Sequence, residues 1–461
     1  MHSIQVVSPV DGSIVATRTL ATAEEVDAVI ERSKVAQKAW GKVPVKERVA
    51  ICLKFVDAFV AGKDEIAKEL TQQMGRPISQ TPGEVNGMAD RAKYMISTAE
   101  EGLKDVEFHD KPGFIRFIRK DAIGVILVVA AWNYPYLIAV NCVIPAILAG
   151  NSVVLKHSAQ TPLCAERFAD AFKAAGLPEN VFQFVHMSHA HTERAILNPS
   201  VAFVNFTGSV AGGHEVANAC GKRFIGCGLE LGGKDPAYVR DDCNLDHAVE
   251  NLVDGSFFNS GQCCCAIERI YVHEKVYDEF VKKFVELTKQ YRLGNPNDAN
   301  TNLGPMVKTG AADFVRKQIK DAVAAGAVSL IDESHFPASK AGTPYLAPHV
   351  LVNVNHSMSV MKDESFGPVI GIMKVSNDEE AIKLMNDSPF GLTAAIWTND
   401  YDAAIRIGDQ IETGTWFCNR CDYLDPALAW TGVKDSGRGC ALSKLAWEHL
   451  TQYKSFHVRK L

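Results

Sequence analysis

The sequence has no apolar run of the roughly 18 to 20 residues that a membrane-spanning helix needs. Its start, MHSIQVVSPVDGS, lacks the basic and apolar regions of a secretory leader, so we expect a cytoplasmic protein. Basic residues are not in excess, since 48 Lys and Arg stand against 54 Asp and Glu and give a net charge of −6. We find no basic stripe with interleaved aromatics, so neither a membrane nor a nucleic acid is predicted as a partner.

Cysteine is present, but without the pattern of a disulfide framework. Twelve cysteines are scattered over 461 residues, apart from three adjacent ones at 263–265 and a C-x-x-C at Cys418 and Cys421. The C-x-x-C has no second pair and no H-x-x-x-H partner, so no metal site is predicted. Unpaired thiols suit a reducing compartment, where a nucleophilic cysteine stays usable.

The length exceeds that of one hydrophobic core, so two or three domains are expected. Strand-like and helix-like stretches alternate over 124–231 and again over about 235–435, which predicts an α/β protein with parallel sheets covered by helices. The predicted strands are 125–131, 152–156, 181–185, 202–206, 224–229, 269–272, 350–352 and 369–375. The predicted helices are 138–149, 161–175, 189–198, 210–220, 249–258, 277–291, 312–325 and 379–385.

Two further segments have a pattern of their own. Residues 3–20 predict a hairpin around Asp11-Gly12, and helical spacing follows over 23–62 and 84–103. Residues 105–122 alternate apolar and charged residues without a helical period, which predicts a solvent-edge hairpin or strands that need a partner.

Ligands of parallel sheets bind beyond the carboxyl ends of the strands. The segments WNYP, KHSAQ, FTGS and GLELGG each follow a predicted strand. They are therefore expected to cluster along one sheet edge.

The three adjacent cysteines follow Asn259-Ser260-Gly261 at the end of a helix-like run. A cysteine at such a break can present its sulfur to a cleft, where unpaired backbone N–H groups face a developing negative charge. Free cysteines are more often small buried apolar residues. However, Glu230 lies 34 residues before Cys264, in an apolar run followed by two glycines. A thiol and a carboxylate that meet through tertiary structure suggest covalent catalysis with a separate base for water.

Five motifs, in this order, resemble those of the NAD(P)-dependent aldehyde dehydrogenases: WNYP (132–135), FTGS (206–209), LELGGKDP (229–236), FFNSGQCCC (257–265) and ESFGPV (364–369). The resemblance spans nearly the whole chain. It implies a Rossmann-type parallel-sheet cofactor domain, an α/β catalytic domain and a small β oligomerisation flap. The expected boundaries are 1–103 with 123–232 for dinucleotide binding, 233–440 for catalysis, and 104–122 with 441–461 for assembly into a homodimer or homotetramer.

The resemblance implies roles for three residues. The pattern G-Q-x-C makes Cys264 the nucleophile, with Cys263 and Cys265 in packing roles. Glu230 would activate water, and the Asn133 side chain would bind the oxyanion together with the backbone N–H of Cys264. The product would be a carboxylic acid, released from an acyl-thioester. From the residues alone, Glu230 could instead form an ion pair, and Asn133 could be a turn or helix cap.

A dinucleotide site is expected without a G-x-G-x-x-G fingerprint, because Gly226-Cys227-Gly228 lacks the third glycine. Gly208 and Ser209, after a strand and before a helix, can still offer N–H groups to a pyrophosphate. By resemblance, Lys156 contacts the adenosine ribose, while Glu364 and Phe366 hold the nicotinamide ribose and ring. Glu364 could otherwise be a surface charge. The remaining residues predicted at this site are Trp132, Ser158, Ala159, Gly213 and Leu231.

The choice between NAD and NADP stays open. NAD-preferring members often carry a glutamate three residues after the equivalent of Lys156, where this chain has Ala159. Without a carboxylate to repel a 2′-phosphate, we expect NADP to be tolerated.

The aldehyde itself is poorly determined. Aromatic side chains fall where the family lines its substrate tunnel, at Tyr134, Phe258, Tyr423 and Trp430. They suggest an apolar or aromatic entrance, or a cradle for a cationic aldehyde. Arg420 could pair a substrate carboxylate such as that of succinate semialdehyde, although an ordinary ion pair is the simpler interpretation.

Two alternatives are weighed against hydrolytic oxidation. A coenzyme-A-acylating relative would intercept the thioester with a thiol, but such relatives typically lack the base at Glu230. A non-catalytic structural or binding protein that retains the fold has no reason to keep Cys264, Glu230 and Asn133 together.

Overall fold

The computed structural model describes residues 3–461. Its first part contains β1 (Ser3–Val7), β2 (Ile14–Thr19), α1 (Ala23–Trp40), α2 (Val45–Ala61), α3 (Lys63–Met74), α4 (Thr81–Gly102), β3 (Val106–Phe108) and β4 (Phe114–Ala122). β1 and β2 pair as the predicted antiparallel hairpin. α1 begins at a capping box, in which Thr22 and Glu25 each satisfy the other's backbone N–H. The sequence did not predict α3.

A six-stranded sheet follows. Its elements are β5 (Val125–Val129), α5 (Pro135–Leu148), β6 (Ser152–Lys156), α6 (Leu163–Ala174), β7 (Phe182–Phe184), α7 (His189–Leu197), β8 (Val201–Thr207), α8 (Val210–Gly221) and β9 (Gly226–Glu230). The strands lie parallel in the order β9-β8-β5-β6-β7. The chain first builds outward from β5 through β6, then returns to the other side of β5 at β8. The strand order therefore reverses between β5 and β8, where such sheets bind ligands.

The second half of the chain builds a seven-stranded sheet. Its elements are β10 (Asp235–Val239), α9 (Leu245–Phe257), β11 (Ile267–His273), α10 (Tyr277–Thr288), α11 (Thr309–Ala324), β12 (Val328–Ser329), β13 (His349–Val352), α12 (Ser359–Lys362), β14 (Val369–Val375), α13 (Asp378–Asn386), β15 (Phe390–Gly391), β16 (Thr393–Trp397), α14 (Tyr401–Gly408) and β17 (Thr415–Cys418). The order is β12-β13-β14-β11-β10-β16-β17, with β12 antiparallel to β13 and the other pairs parallel.

The C-terminal segment returns to earlier parts of the chain with β18 (Val433–Lys434), β19 (Gly437–Arg438), α15 (Ala446–His449) and β20 (Thr451–Arg459). β18 pairs with β15, and β19 adds an antiparallel edge to β9. β20 pairs antiparallel with β4 along its full length, and β3 completes that three-stranded sheet. The strands predicted to need a partner at 105–122 thus find one in the C-terminal tail.

Most of the predicted helices and strands are confirmed within a few residues, but β10, β16 and β17 were missed. All five residues of β10 and of β16 are buried. A strand covered on both faces has no alternation of apolar and polar residues, so the period-2 signal is absent. Among residues 3–461, no helix combines the length and apolar character required to cross a bilayer.

Candidate active site

The segments WNYP, KHSAQ and FTGS contribute to one cleft of about 700 Å³ beside the reversal in strand order, whereas no residue of GLELGG lines it. We call it the strand-end cleft; its lining includes Trp132, Lys156, Ser158, Gly208 and Ser209. Gly213, in the first turn of α8, lies against Leu231, so that a side chain at Gly213 would collide with that leucine. Ala159 is exposed next to Ser158, just outside the lining.

The N-terminus of α8 gives the strand-end cleft an anion-binding end. Ser209 caps the helix by accepting a hydrogen bond from the Gly212 N–H at 3.2 Å. The other first-turn amides of a helix have no intrahelical acceptor, and the helix dipole favours negative charge there. This end of the cleft is suited to a pyrophosphate.

Lys156 supplies a cation at the end of β6. Its side chain is largely buried, which lowers the pKa of its ammonium group, and within residues 3–461 it forms no ion pair. A buried lysine without a carboxylate partner is free to bind an incoming acceptor. The sequence did not single out three other charged residues of this cleft, Glu193, Glu215 and Lys308.

The loop of residues 364–366 lies next to Trp132, which lines the strand-end cleft. Trp132 and Phe366 meet edge to face, with ring centroids 5.7 Å apart. Glu364 accepts a hydrogen bond from the Gly233 N–H at 3.0 Å, and burial raises the pKa of its carboxyl to about 7. Glu364 is therefore a partly buried group of the site, and not the surface charge that its neighbours Lys362 and Asp363 suggested.

A buried ion pair, which sequence reasoning missed, holds this loop. Glu268 of β11 pairs with Lys234 at 2.6 Å. Its two carboxylate oxygens also accept the backbone N–H groups of Ser365 (2.8 Å) and Phe366 (2.9 Å). Such a fully bonded network fixes backbone position. Glu268 and Lys234 thus position the loop that carries Glu364 and Phe366.

A second cavity, of about 260 Å³, is lined by the two residues that the motifs suggest as nucleophile and base. Cys264 and Glu230 both line it. Thr207 lines both this cavity and the strand-end cleft, so the two spaces meet there. We call the second space the thiol cavity. Its wall includes all four predicted aromatics, Tyr134, Phe258, Tyr423 and Trp430.

The turn before the cysteines has an unusual backbone. Asn259, Ser260 and Gly261 take φ values of 52°, 57° and 70°, all in the left-handed region. For the two non-glycine residues this costs about 1–3 kcal/mol each, so the surroundings must hold them. Asn259 Nδ2 donates to the Gln262 carbonyl at 3.2 Å, and Ser260 Oγ donates to the Gly304 carbonyl at 2.8 Å. Such strain, held in place, is typical of functional turns.

Cys264 is flanked by its neighbours in space as well as in sequence. The neighbouring Cys263 and Cys265 thiols, whose sulfur atoms lie within 4.8 Å of its own, lower the pKa of Cys264. Cys263 and Cys265 are buried, as their predicted packing role requires, but each also donates to Asp422 Oδ1, at 3.1 and 3.0 Å. A lowered pKa favours the thiolate, which is the nucleophilic form.

The two glycines after Glu230 allow a close approach between the two halves of the molecule. A Cβ at Gly233 would lie 2.6 Å from the Cys264 carbonyl oxygen. A Cβ at Gly232 would lie 2.5 Å from a carboxylate oxygen of Glu364. Only glycine fits at either position, and this contact brings β9 against the cysteine turn.

Glu230 ends β9 with a desolvated carboxyl group. Burial raises the pKa of Glu230 to about 7, against a hydrogen bond from Thr207 Oγ1 to Oε2 at 3.2 Å. Oε1 is buried and has no hydrogen-bond partner in the described chain. No lysine or arginine of residues 3–461 pairs with Glu230, so the ion-pair alternative finds no support. A carboxyl group with a pKa near 7 is suited to proton transfer.

Asn133 lies against the cysteine turn, outside the residues that line the thiol cavity. Its side-chain Nδ2 donates to the Gln262 carbonyl at 3.3 Å, and the side chain is buried. The Asn133 carbonyl in turn accepts from Arg76, a buried residue that pairs with Glu84 at 2.5 Å. Sequence reasoning missed Arg76 and Glu84, which anchor the WNYP segment to α4 and to the loop before it.

One arginine lines the thiol cavity, and it is not Arg420. Arg420 does not line the thiol cavity; it is exposed, and its guanidinium stacks on the Tyr423 ring at 3.8 Å. Arg91 of α4, which the sequence did not indicate, lines the cavity instead. It donates to the Leu137 carbonyl (2.8 Å) and to Asn141 Oδ1 (3.2 Å), and it makes no ion pair with any described residue.

Comparisons with known proteins point to one family over nearly the whole chain. A model of the aldehyde dehydrogenase family matches residues 1–456. The NADP(+) succinate-semialdehyde dehydrogenase of Mycobacterium avium (strain 104) is 35% identical over 445 residues, which cover 96% of this chain and 94% of that protein. A Deinococcus radiodurans enzyme of the same name is 32% identical over 448 residues, covering 97% and 93%.

Solved structures are equally similar. An aldehyde dehydrogenase from Brucella melitensis biovar abortus 2308 has a TM-score of 0.95 at 29% identity, and the match covers 100% of this chain and 94% of that one. Succinic semialdehyde dehydrogenase from Streptococcus pyogenes, in complex with NADP+, has a TM-score of 0.94 at 30% identity, covering 99% and 100%. The α/β fold predicted from the motifs is therefore confirmed.

Proposed function

The chain belongs to the aldehyde dehydrogenase family, and on that basis we propose that Cys264 is its nucleophile, Glu230 its base and Asn133 its oxyanion donor. As a member of this family it oxidises an aldehyde to the carboxylic acid with NAD or NADP. One observation carries the assignment of roles: Cys264 and Glu230 line a single cavity that meets the strand-end cleft at Thr207.

The geometry supports a covalent mechanism. The Cys264 thiolate attacks the aldehyde carbon and forms a thiohemiacetal, whose oxyanion is bound by Asn133 Nδ2 and the Cys264 backbone N–H. Bound NAD(P) supplies the acceptor for the hydride that leaves this carbon. Glu230 then takes a proton from water, whose oxygen attacks the acyl carbon. The carbon–sulfur bond breaks, and the carboxylic acid and the Cys264 thiolate are released.

The strand-end cleft has the groups that a dinucleotide needs. The N-terminus of α8 with Gly208 and Ser209 would hold the pyrophosphate, and Lys156 and Ser158 would bind the adenosine ribose. Glu364 and Phe366 would bind the nicotinamide ribose and ring beside Trp132. A dinucleotide held by these residues would supply the hydride acceptor for the thiol cavity, which shares Thr207 with the cleft.

Cofactor preference gives the first test. Ala159 is exposed beside Ser158, where a 2′-phosphate would meet no carboxylate from this position. We expect Ala159→Glu to reduce the ratio of kcat/KM for NADP to that for NAD by about tenfold or more, since like charges at close range repel by several kcal/mol before screening. Ala159→Gln, equal in size and uncharged, is the matched control. An unchanged ratio in Ala159→Glu would locate the selectivity at other residues of the cleft.

We propose further that the aldehyde carries a carboxylate, as in succinate semialdehyde. The relatives in the comparisons are named for that substrate. In this chain Arg91 is the unpaired cation of the thiol cavity within the described residues, and it faces the same space as Cys264. A guanidinium is the side chain best fitted to a carboxylate. Glu230 acts on Arg91 only through space and forms no ion pair with it, so the guanidinium stays open to a substrate carboxylate.

Arg91→Gln is expected to lower kcat/KM for succinate semialdehyde by about 10- to 100-fold, the loss of a charge-assisted contact. Butanal, which lacks the carboxylate, should change by less than about threefold. The measurement is the initial rate of reduced-cofactor formation with both aldehydes. Arg420→Gln is the matched control and should leave both substrates unaffected. Equal losses for the two aldehydes would mean that Arg91 only supports the fold through Leu137 and Asn141.

Glu230 also favours hydrolysis over acyl transfer to coenzyme A. Attack by water on the thioester requires a base, and a desolvated carboxyl with a pKa near 7 can serve as one. Attack by an incoming thiol does not require this base. Turnover that persists at full rate without coenzyme A is the expected result, and dependence on coenzyme A would reverse this assignment.

Three broader expectations are retained as proposals. We propose the division 1–103 with 123–232, 233–440, and 104–122 with 441–461 for dinucleotide binding, catalysis and assembly. The three-stranded sheet of β3, β4 and β20 supports assembly into a homodimer or homotetramer, because its outer strands offer unpaired edges.

All twelve cysteines lie in the described chain as free thiols, which supports a cytoplasmic location.

A further inference from the structure

Four donor atoms beside the thiol cavity form a cluster that the oxidation mechanism does not use in full. The sulfur atoms of Cys263, Cys264 and Cys265 all lie within 4.8 Å of one another. Those of Cys263 and Cys265 are 3.5 Å apart, and Asp422 Oδ1 lies 3.1 and 3.0 Å from them. The mechanism requires the Cys264 sulfur alone.

Asp422 makes this more than a group of adjacent cysteines. It belongs to a different part of the chain, has a φ of 47°, and lines the cavity. No lysine, arginine or histidine among residues 3–461 forms an ion pair with it. Its carboxylate accepts hydrogen bonds from the two thiols, so an acidic side chain is directed at two sulfur atoms in a desolvated place. Burial raises the pKa of the Asp422 carboxyl, because an ionised carboxylate in such a place is costly unless a cation accompanies it.

We propose that Cys263, Cys264, Cys265 and Asp422 form an inhibitory binding site for a thiophilic divalent cation such as Zn²⁺. The inference rests on the proposed nucleophile only for its inhibitory effect; binding itself depends on the donor atoms.

The donor set matches the ion. Zn²⁺ binds thiolate sulfur at about 2.3 Å and carboxylate oxygen at about 2.0–2.2 Å, in tetrahedral geometry. A tetrahedron of that size has sulfur–sulfur edges of about 3.8 Å, close to the separation of Cys263 and Cys265. Binding in this geometry requires the three sulfurs and one oxygen to converge on a common centre. Soft thiolates select Zn²⁺ or Cd²⁺, whereas Mg²⁺ requires oxygen ligands.

The position of the metal site determines how the ion reaches it and how binding affects the reaction. All four residues line the thiol cavity, so an ion arrives by the path that the aldehyde uses. Each protonated thiol that coordinates the ion releases its proton to solvent, and no electron transfer is involved. Coordination withdraws electron density from the Cys264 sulfur, and the bound ion blocks its approach to the aldehyde carbon. Occupation of the site therefore stops the reaction reversibly and competes with the aldehyde.

The test uses the full-length enzyme with zinc held at defined free concentrations by a chelator buffer. We expect inhibition that is competitive with the aldehyde, is reversed by EDTA, and is absent with Mg²⁺. Direct binding is measured with Co²⁺, whose thiolate charge-transfer absorption reports sulfur ligands independently of turnover. One Co²⁺ per chain is expected. This readout also separates failure of the metal site from failure of the proposed enzyme function.

Variants identify the ligands. Asp422→Asn and Cys265→Ser should each raise the zinc inhibition constant about tenfold or more, measured against the uninhibited rate of the same variant. They should also weaken the Co²⁺ absorption. Cys243→Ser, which removes a partly buried thiol outside the cluster, is the matched control and should change neither. Thermal unfolding of each variant establishes that it is folded.

Two results would overturn the proposal. If Asp422→Asn and Cys265→Ser keep the wild-type inhibition constant, zinc binds Cys264 without the cluster. If Co²⁺ gives no thiolate absorption in the wild-type protein, the four donors do not form a metal site, whatever the effect of zinc on turnover.

Discussion

Replacing Cys264 with alanine is expected to lower aldehyde oxidation by about 10⁴-fold or more, because no other group near the cavity can form the acyl intermediate in its place. Cys263 and Cys265 are buried and committed to Asp422 by hydrogen bonds at 3.1 and 3.0 Å. Alanine removes the sulfur without adding volume, so the strand-end cleft should keep its affinity for the dinucleotide.

The measurement pairs steady-state turnover with dinucleotide binding by fluorescence or calorimetry. Cys243→Ser, a thiol outside the cavity, provides the matched control with wild-type activity. Turnover by Cys264→Ala within about tenfold of wild type would exclude Cys264 as the nucleophile. Loss of dinucleotide binding together with turnover would instead indicate a damaged fold, which the thermal unfolding of the variant would reveal.

The second large effect is expected at Glu230. Glu230→Gln keeps the shape of the side chain but cannot accept a proton from water, so the acyl-thioester should accumulate. One equivalent of reduced cofactor should form in a rapid burst, and steady turnover should fall by about 10²- to 10⁴-fold. Rapid-mixing absorbance measures both phases. A steady rate equal to that of the wild type would assign the activation of water to another group.

The pKa of Glu230 also predicts a pH profile. Burial raises this pKa to about 7, and only the carboxylate form can take a proton, so hydrolysis should be lost as the pH falls through about 7. Below that point kcat should decrease by about tenfold per pH unit. Thr207→Val removes the hydrogen bond to Oε2, which favours the charged form, and should move this limb to higher pH. A limb that stays in place in both Thr207→Val and Glu230→Gln would belong to a different group.

The reacting groups could be predicted from local sequence because the chemistry depends on local features. The cysteine turn needs an unusual backbone at Asn259 to Gly261, and the approach of β9 needs the bare backbone of Gly232 and Gly233. Only a few residue types meet these requirements, and they stand close together, so they can be recognised in the sequence. The strand ends at Trp132, Ser158 and Gly208 could be placed at one edge for the same reason, since strand–helix alternation determines which edge they share.

The residues that hold these groups in place left no such pattern. Arg76 donates to a backbone carbonyl of WNYP and forms a buried ion pair with Glu84. Glu268 accepts two backbone N–H groups of ESFGPV and forms a buried ion pair with Lys234. In the sequence each is an ordinary charged residue. Burial of such a group depends on which segments pack over it, and those segments lie far away along the chain.

The sequence alone therefore determined the α/β architecture, the family, and the identity of the sulfur and the carboxyl group proposed to react. Only the tertiary structure decided that Arg91 and not Arg420 faces the cavity, and that Asp422 meets the flanking thiols. The physical reason is that backbone conformation and hydrophobic periodicity depend on residues that are close together in the sequence, so both can be recognised from residue order. The side of a helix or loop that faces a cavity is set by packing between distant segments, which residue order does not record.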